Sequence, residues 1–435
     1  MSTPTPAAAR RLGVREAGLA RRAQRYGVWV AAALVLVVLP HVIRTPVAIS
    51  VMNQMGIAVI FALSYNMLLG QGGMLSFGHA VYFGLGGFIA IHVLNLAGQG
   101  KLYLPVAFLP LVGGLGGLFC AALFGSFSTN RAGTVFAMIS LGIGELMASS
   151  SLIFNKFFGG EEGITGNRAK APPLLGLDFT TDVRVYYLIA FWALAATILI
   201  YAFSRTPVGR MANAVRDNPE RAEFVGYSQR GVRYVSFCAA GFFAGMAGGL
   251  FAVNYEILTV ENMGLTASGS VLLMAYIGGI GYFVGPVIGA IIFTFLQSML
   301  SDYTQIWLLY LGILFLATVL FVPAGLAGVL MMHAPARRAG RLHRLMGPYL
   351  LVAALALVTA VGLVGLLEML HFMVSGPAGR TTKRLFWVAL QVYTVWPWLV
   401  FGALAAAGGL GLRRAAPRVA AVFSAASRLD GEPPR

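Results

Sequence analysis

Charged residues are scarce in this chain of 435 residues. Asp, Glu, Lys and Arg together make up 11% of it, whereas 58% of the residues are hydrophobic. The mean hydropathy is +0.79. Both proportions depart strongly from the usage of soluble globular domains. The composition therefore excludes a water-soluble enzyme or binding module and predicts an integral membrane protein.

Cysteine is almost absent. Cys120 and Cys238 both lie within apolar runs and form neither a CxxC pair nor the framework of a disulfide-rich secreted domain. We interpret both as packing residues. A cleavable signal peptide is also missing, because the first apolar run follows an arginine-rich segment and has no Ala-x-Ala-like site. That run is predicted to stay as a membrane span.

Motifs for nucleotide binding and hydrolysis are missing as well. No GxxxxGK[ST] occurs, and in "GQGGMLSFGH" the third glycine of GxGxxG is replaced by Leu75. GxSxG and HExxH are absent too. The chain is therefore predicted to bind no cofactor and to be no enzyme.

Long apolar runs dominate what is present. Runs of about 17 to 25 residues match the thickness of a bilayer, and their continuous apolar character favours helices over barrel strands. We predict an all-α polytopic membrane protein, with 266–300 forming either two spans or one broken or re-entrant helix. The twelve predicted spans are 27–43, 47–69, 76–98, 104–126, 132–155, 185–203, 233–254, 266–284, 286–300, 305–329, 349–373 and 385–411.

Positive charge is concentrated in particular loops. The net charge of +16 is therefore not taken as affinity for nucleic acid. The positive-inside rule predicts that both termini are cytoplasmic. The positive residues that would then face the cytoplasm include Arg10 to Arg25, Arg131, Arg205 to Arg233 and Arg337 to Arg344. Arg380, Lys383 and Arg384 would face outward, which leaves the orientation of the last hairpin open.

The chain divides into segments of different character. We predict a bundle of about ten spans over 27–332, containing a hydrophilic loop at 204–233, and an accessory two-helix hairpin over 349–412. The remaining segments are basic: an N-terminal segment (1–26), a linker (333–348) and a C-terminal tail (413–435). The hairpin has no role that the sequence assigns.

Small residues repeat at every fourth position in several spans. Such ladders let helix backbones approach closely within a membrane, so they predict packing and not solute binding. The ladders are Gly113, Gly117, Ala121 and Gly125; Gly241, Gly245 and Gly249; Gly281, Gly285 and Gly289; and Ser76, Ala80 and Gly84.

Few polar side chains lie inside the spans, and each is a candidate functional residue because burial there is costly. Glu145 either lines a solute path, binds a proton or joins helices. Glu368 lies near His371, which favours local pairing. His79 has no second histidine or carboxylate at ligand spacing, so a hydrogen bond within the bundle is favoured over a metal site. Gln71, Ser76, His79 and Glu145 form the candidate polar network or solute path.

Two hydrophilic loops stand out. In the 204–233 loop Asn218 can cap a short helix that Pro219 opens and Gly226 ends. Glu220 falls in the first turn, where the helix dipole favours negative charge. The loop at 156–184 is rich in Gly and Pro, which favours turns. Both loops are candidate docking faces.

Three stretches resemble one family, the LivM-like permease subunits of bacterial branched-chain amino-acid ABC transporters. They are "NMLLGQGGMLSFGHAVYFGLGGFIA", "ISLGIGELMASSSLIFNKFFGGEEGITG" and "VGRMANAVRDNPERAEFVGYSQRGVRYVSFCAAGFFAGMAGGLFA". The last is similar to an ABC importer coupling helix, whose Glu-Ala-Ala, three residues, Gly pattern reads here as Glu220, Arg221, Ala222 and Gly226. The resemblance spans about 47–330.

This resemblance implies a heteromeric importer in the bacterial inner membrane. Its partners would be a second homologous permease subunit, two cytoplasmic ABC ATPase subunits that carry ATP and Mg, and a periplasmic solute-binding protein. The ATPases would dock on Arg216, Asp217, Asn218, Glu220, Ala222 and Gly226. The loop of Gly159, Gly160, Glu161, Glu162 and Gly163 is the candidate docking surface for the binding protein.

The cargo stays open among branched-chain amino acids, urea, short amides and small carboxylates. A rival from another class is a secondary transporter that couples solute to protons or sodium through Glu145 and His79. It would need inverted repeats with broken half-helices, for which the break at Gly285 and Pro286 is faint support. The coupling-helix pattern argues against it.

Overall fold

The computed structural model describes residues 27–174, 176, 178–334, 343–375 and 381–427, which are mostly helical. Each predicted apolar span contains a helix, so the prediction of an all-α polytopic protein is confirmed. The helices are α1 (Gly27–Val42), α2 (Pro46–Asn66), α3 (Ala80–Gly98), α4 (Leu109–Ser128), α5 (Gly133–Ile153), α6 (Asn155–Phe158), α7 (Asp182–Ser204), α8 (Pro207–Asp217), α9 (Pro219–Phe224), α10 (Gln229–Tyr255), α11 (Leu265–Gly278), α12 (Gly285–Tyr303), α13 (Trp307–Phe321), α14 (Gly325–Met332), α15 (His343–Ser375) and α16 (Val395–Ser427).

Shorter elements connect these helices. A π-helical turn, Met67–Gln71, follows α2, and 3₁₀ turns lie at Val106–Phe108, Arg168–Lys170 and Val260–Met263. Strand β1 (Ile164–Thr165) pairs antiparallel with β2 (Ile257–Leu258), and β3 (Thr382–Leu385) pairs with β4 (Val388–Gln391).

Two compact units make up the chain, the first ending at Gly328 and the second beginning at Val329. In the described residues nine helices are long and apolar enough to cross a membrane, and the bent pair α13 and α14 would make a tenth. Helices α1 and α11 are apolar but shorter. The nine are α2 with its π turn, α3, α4 with its 3₁₀ turn, α5, α7, α10, α12, α15 and α16.

One predicted span is broken. The span predicted over 305–329 is made of two helices, because α13 and α14 meet at an angle of 44°. Pro323 lies at the break and has no N–H to continue the helical ladder. Gly325 has a φ of +66°, and a Cβ on it would lie 2.3 Å from the Cα of Gly279. The bend therefore lets α14 start against the end of α11.

The last predicted span begins too early. Residues 385–394, taken as the start of the span 385–411, contain the end of β3, all of β4 and the turn between them. Phe386 and Trp387 occupy that turn with φ values of +47° and +64°. The stretch "LFWVALQ" is apolar but rich in aromatic and β-branched residues, and a short apolar run does not distinguish strand from helix. Helix α16 then extends to Ser427, well past the predicted end of the span.

The centre of the first unit is built on glycine. A Cβ on Gly117 would lie 2.3 Å from the Gly241 carbonyl oxygen, and one on Gly245 would lie 2.2 Å from that of Gly113. Helices α4 and α10 thus touch backbone to backbone along their two ladders. Helix α3 joins them, because a Cβ on Gly86 would lie 2.5 Å from the Cα of Gly245. The prediction that these ladders serve packing is confirmed.

The other two predicted ladders hold only in part. Ser76 lies outside any helix, and Gly281 lies in a turn with open space around it. A Cβ on Gly289 would lie 1.9 Å from the Met274 carbonyl oxygen, and one on Gly278 would lie equally close to that of Gly285. Helices α11 and α12 are therefore two separate helices that form a close antiparallel hairpin.

Candidate functional site

The α2–α3 connection, residues 67–79, interrupts two buried helices. After the π turn the chain runs without α-helix from Gly72 to His79. The amide of Gly72 donates to the Leu68 carbonyl at 3.1 Å, and that of Met74 donates to the same carbonyl at 2.9 Å. Gly73 has a φ of +64°. Single π turns within helices are common at functional sites.

Side chains from distant helices bind the backbone of this connection and of the first residue of α3. The Phe77 amide donates to Ser140 Oγ of α5 at 3.0 Å, and the Ala80 amide donates to Ser268 Oγ of α11 at 3.1 Å. The amides of a non-helical stretch and of the first turn of a helix have no intrahelical partner, and these two hydroxyls supply one. The connection is thus a built part of the bundle.

His79 is fully buried in an aromatic cage. Its ring stacks on Phe61 with centroids 5.6 Å apart and meets the edge of Tyr65 at 5.4 Å. Its Nε2 lies 2.9 Å from Ser64 Oγ. When the single hydroxyl proton of Ser64 is donated to the Phe61 carbonyl, His79 donates from Nε2. Its Nδ1 is then a bare acceptor.

Several buried polar atoms near the connection have no hydrogen-bond partner in the described part of the chain. They are Asn66 Oδ1, Gln71 Oε1, Ser76 Oγ and His79 Nδ1. All four can accept a hydrogen bond, and none belongs to a charged side chain. No group of three or more His, Cys, Asp or Glu side chains among the described residues could hold a metal ion. The connection therefore offers neutral acceptors within an apolar bundle.

Glu145 is not joined to these atoms within the chain. It lies on an exposed face of α5, five residues and so roughly 140° around the helix from Ser140. It makes no side-chain hydrogen bond or ion pair with another described residue. Gln71, Ser76 and His79 thus share the α2–α3 connection, whereas Glu145 faces away from it.

In the 204–233 loop, called the coupling loop from here on, the predicted short helix forms as its capping residues indicate. Asn218 Oδ1 accepts a hydrogen bond from the Arg221 amide at 3.0 Å, and Pro219 opens α9. Gly226 has a φ of +87° just after the helix. A second helix in the loop, α8, was missed; its cap is Thr206, whose Oγ1 accepts from the Gly209 amide at 3.2 Å.

The two helices present different residues to solvent and to their own chain. Asp217, Glu220 and Gly226 are exposed. Ala222 is only 3% exposed and packs in a small core with its neighbours. Phe224 is 90% exposed, and the prediction from sequence missed it. A large apolar side chain within a charged loop was the available signal, because exposed apolar residues mark contact surfaces.

Arg216 also faces its own chain. Its guanidinium donates to the carbonyl oxygen of Gly70, in the π turn. Its Nε donates to Asp217 Oδ1 at 2.9 Å. The coupling loop is therefore in direct contact with the α2–α3 connection.

The acidic loop, residues 159–163, lies near the C-terminal end of α10, whereas the coupling loop precedes the N-terminal end. Gly159 and Gly163 both have a φ of +76°, and a Cβ on Gly163 would lie 2.1 Å from the Leu258 carbonyl oxygen. Only glycine fits at position 163. The pairing of β1 with β2 fixes the base of the loop. Gly160 lies in the same turn, and Glu161 and Glu162 project from it and are exposed.

Arg168 organises that end of the unit and was missed by the prediction from sequence. It is 9% exposed, and its guanidinium donates to the carbonyls of Val253 and Asn254 at 3.1 and 3.0 Å and to Asp182 Oδ1 at 2.7 Å. It thus satisfies carbonyls at the end of α10 and joins them to the start of α7. Its partners in α10 are 85 and 86 residues away, so no local pattern reveals them.

In the second unit Glu368 pairs with Lys383, not with His371 as expected. Lys383 Nζ lies 2.6 Å from Glu368 Oε2 and donates to the Glu368 carbonyl at 3.0 Å. Because the charge of Lys383 is paired with Glu368, it is a weak indicator of which side of the membrane the last hairpin faces. Arg380 and Arg337 lie outside the described residues, as do residues 1–26, most of the linker and the end of the tail.

Known proteins match much of the chain. Residues 47–323 match the model of a family described as "Branched-chain amino acid transport system / permease component". The high-affinity branched-chain amino acid transport system permease protein LivM of Escherichia coli K12 is 26% identical over 297 residues, covering 62% of this chain and 67% of LivM. The corresponding LivH of Salmonella typhimurium LT2 is 24% identical over 288 residues, covering 62% of this chain and 90% of LivH. No solved structure gives a significant match.

Proposed function

The chain belongs to the permease family of branched-chain amino acid transport systems, and from that premise we propose that it forms part of the path for hydrophobic amino acids in an ATP-driven importer. It is a LivM-like ABC permease, a multi-pass membrane protein and a transport subunit of a multi-subunit transporter. Its cargo, its docking surfaces and its orientation are the proposed parts.

The neutral acceptors of the α2–α3 connection carry the proposal for the cargo. A branched-chain amino acid brings an ammonium group with three donors and an apolar side chain. Asn66 Oδ1, Gln71 Oε1 and His79 Nδ1 could accept those donors without a fixed charge, and the surrounding bundle is apolar. Ser76 Oγ can accept or donate. Glu145, on another face of the chain, would line the path at the second permease subunit, because an intramembrane carboxylate is costly against lipid.

The complex would contain a second homologous permease subunit and two ABC ATPases, with both termini of this chain in the cytoplasm. Relatives named LivM and LivH both match this chain, which supports a pair of related permeases. ATP and Mg would be held by the ATPase subunits, and this chain would hold no cofactor.

The coupling loop would seat in a cleft of an ATPase subunit. Asp217, Glu220 and Gly226 are exposed there, and Phe224 supplies a large apolar contact. Arg216, Asn218 and Ala222 would act from inside the loop, since they bind, cap or pack within the chain. The acidic pair Glu161 and Glu162 would meet basic residues of a periplasmic binding protein.

Reconstitution tests this function. The complex of this chain with a second permease subunit and two ATPase subunits, supplied with the binding protein in proteoliposomes, should take up radiolabelled L-leucine only when ATP is supplied to the ATPase side. Glu220→Ala with Phe224→Ala should abolish ATPase capture while membrane insertion persists. Phe154→Ala, which removes an exposed aromatic residue outside the loop, is the matched control.

Other outcomes would redirect the proposal. ATP-dependent uptake of urea or a short amide in place of leucine would keep the importer and change its cargo. Uptake by this chain alone, driven by a proton gradient, would overturn the coupling to ATPases and favour a secondary transporter.

A further inference from the structure

Arg216 connects two parts of the first unit that are far apart in sequence. It lies in the last turn of α8, and its guanidinium donates to the Gly70 carbonyl across 146 residues. Its aliphatic part lies against Gly73, where a Cβ would be 2.6 Å from Arg216 Cγ. The Asp217 carboxylate, 2.9 Å from Arg216 Nε, holds the other side of the guanidinium. The side chain thus joins the coupling loop to the α2–α3 connection at two points.

Gly70 is itself tightly enclosed. A Cβ on it would lie 2.5 Å from the Ile280 carbonyl oxygen and 2.1 Å from Asn66 Oδ1. It therefore lies between the end of α2 and the turn that joins α11 to α12. Packed protein interiors have low compressibility and transmit strain. A displacement of the Gly70 carbonyl would therefore move the π turn as a whole.

The acceptors without partners follow directly along the chain. Gln71 is in the same π turn, and Ser76 and His79 lie within the next eight residues. The guanidinium of Arg216 is a planar fork that can hold Gly70 and Asp217 together, which a lysine ammonium on its flexible stem would do less well.

We propose that Arg216 is a positioning residue that transmits movement of α8 and α9 to the α2–α3 connection. This inference rests on the proposed function, since the movement comes from ATPase subunits docked on the coupling loop. When α8 shifts, Arg216 carries the Gly70 carbonyl and the π turn with it, and the orientation of Gln71, Ser76 and His79 changes. Arg216 acts through the connection and does not touch solute.

The test measures movement of the connection without requiring a known cargo. Leu75, half-buried within the connection, is replaced by cysteine in a chain with Cys120→Ala and Cys238→Ala. Labelling of this cysteine by a maleimide is followed in the assembled complex, with and without a non-hydrolysable ATP analogue. The variants are Arg216→Ala, Arg216→Lys and, as a matched control from the exposed side of α8, Arg210→Ala.

With Arg216 present, nucleotide should change the labelling rate by about fivefold or more, the lower end of usual coupling between sites. Arg216→Ala should remove this response while ATPase subunits still bind. Arg216→Lys should retain part of it, and Arg210→Ala should retain all of it. If Arg216 served only to stabilise the end of α8, the response would survive in every assembled variant.

A full nucleotide response in Arg216→Ala, or none with Arg216 present, would overturn the proposal. If Arg216→Ala does not assemble, Arg216→Lys decides, and an undiminished response there would equally overturn it. Failure of ATPase subunits to bind the unmodified chain would contradict the proposed function and this inference together. If ATPase subunits bind but nucleotide does not change the labelling rate of the chain with Arg216, or changes it equally in Arg216→Ala, only the role of Arg216 is contradicted.

Discussion

The helices at the centre of the first unit and the two long helices of the second are both strongly apolar, yet they are surrounded differently. In α3 and α10, 72% of the most apolar stretch is buried by the chain itself, whereas in α15 and α16 the share is 11%. Both regions use glycine for close contact: a Cβ on Gly362 would lie 2.4 Å from the Ala405 amide nitrogen. The second unit buries one stripe, while α3 and α10 are covered on several sides.

This difference shows what apolarity alone achieves. Apolar runs place a segment in the membrane, and small residues pair two helices. Only helices covered on several sides create an interior in which neutral polar atoms such as those of Ser64, Ser76 and His79 are kept from lipid. The second unit contains one buried carboxylate, Glu368, among its described residues, and that carboxylate is paired. The polar features suited to transport therefore lie in the first unit.

The largest expected effect is at the glycine contact of the first unit. Gly245→Leu places a side chain where a Cβ would already lie 2.2 Å from the Gly113 carbonyl oxygen. We expect a loss above about 3 kcal/mol, the upper end for overpacking. Thermal stability of the detergent-solubilised protein measures it. Gly402→Leu is the control, because nothing lies within 4 Å of a Cβ there; equal losses in both would contradict the contrast between the units.

The next effect is confined to the second unit. Lys383→Met removes the ammonium 2.6 Å from the buried Glu368 carboxylate. We expect destabilisation by roughly 3 kcal/mol, as for other broken buried pairs. Proteolysis of residues 381–394 should accelerate, while leucine uptake by the complex should not change. Arg384→Met, which removes an exposed cation from the same strand, should do neither. Lost uptake in Lys383→Met would mean that the second unit takes part in transport.

A smaller effect is expected where Arg168 joins α7 to α10. Arg168→Met removes hydrogen bonds to the Val253 and Asn254 carbonyls and to Asp182. We expect a loss of about 2 kcal/mol, as for a hydrogen bond to a charged group. Limited proteolysis at residues 159–182 measures the loosening of the loop. Arg184→Met removes only a half-exposed pair with Asp178 and should cost little.

The smallest effect is the pH dependence of Asp178. Hydrogen bonds from Arg184, and next from Thr180, lower the pKa of its carboxyl to about 2. A carboxyl with a pKa below its unfolded value of about 3.9 stabilises the fold above that pH, and the contribution is lost as pH falls towards 2. The melting temperatures of Asp178→Asn and the unmodified chain should therefore differ at pH 5 and converge as the pH falls towards 2. A difference that grows on acidification would contradict this.

Local signals made part of this structure predictable. Asn218, Pro219 and Gly226 act within a few residues of one another, so the cap and end of α9 could be predicted. The glycine ladders of α4 and α10 could be recognised as contact surfaces, although the sequence does not state that they contact each other. Phe386 and Trp387 lie in an apolar run that suits a strand or a helix equally, and the β-hairpin there was missed.

The remaining site residues depend on distant partners. Arg168 finds its carbonyls on α10 and Arg216 finds the Gly70 carbonyl, so neither role follows from spacing along the chain. Glu368 has His371 as a near neighbour in sequence, yet its ion pair is with Lys383, because the β3–β4 hairpin returns that strand to α15. Contacts of this kind are decided by packing.

The serine partners of the α2–α3 connection also set an order of events during synthesis. When residues 67–79 are synthesised, Ser140 of α5 and Ser268 of α11 have not yet been made. The amides of Phe77 and Ala80 then lack the hydroxyls that they use in the finished bundle. The final hydrogen bonds of the connection can therefore form only after nearly two hundred further residues have been synthesised, since Ser268 lies 188 residues beyond Ala80.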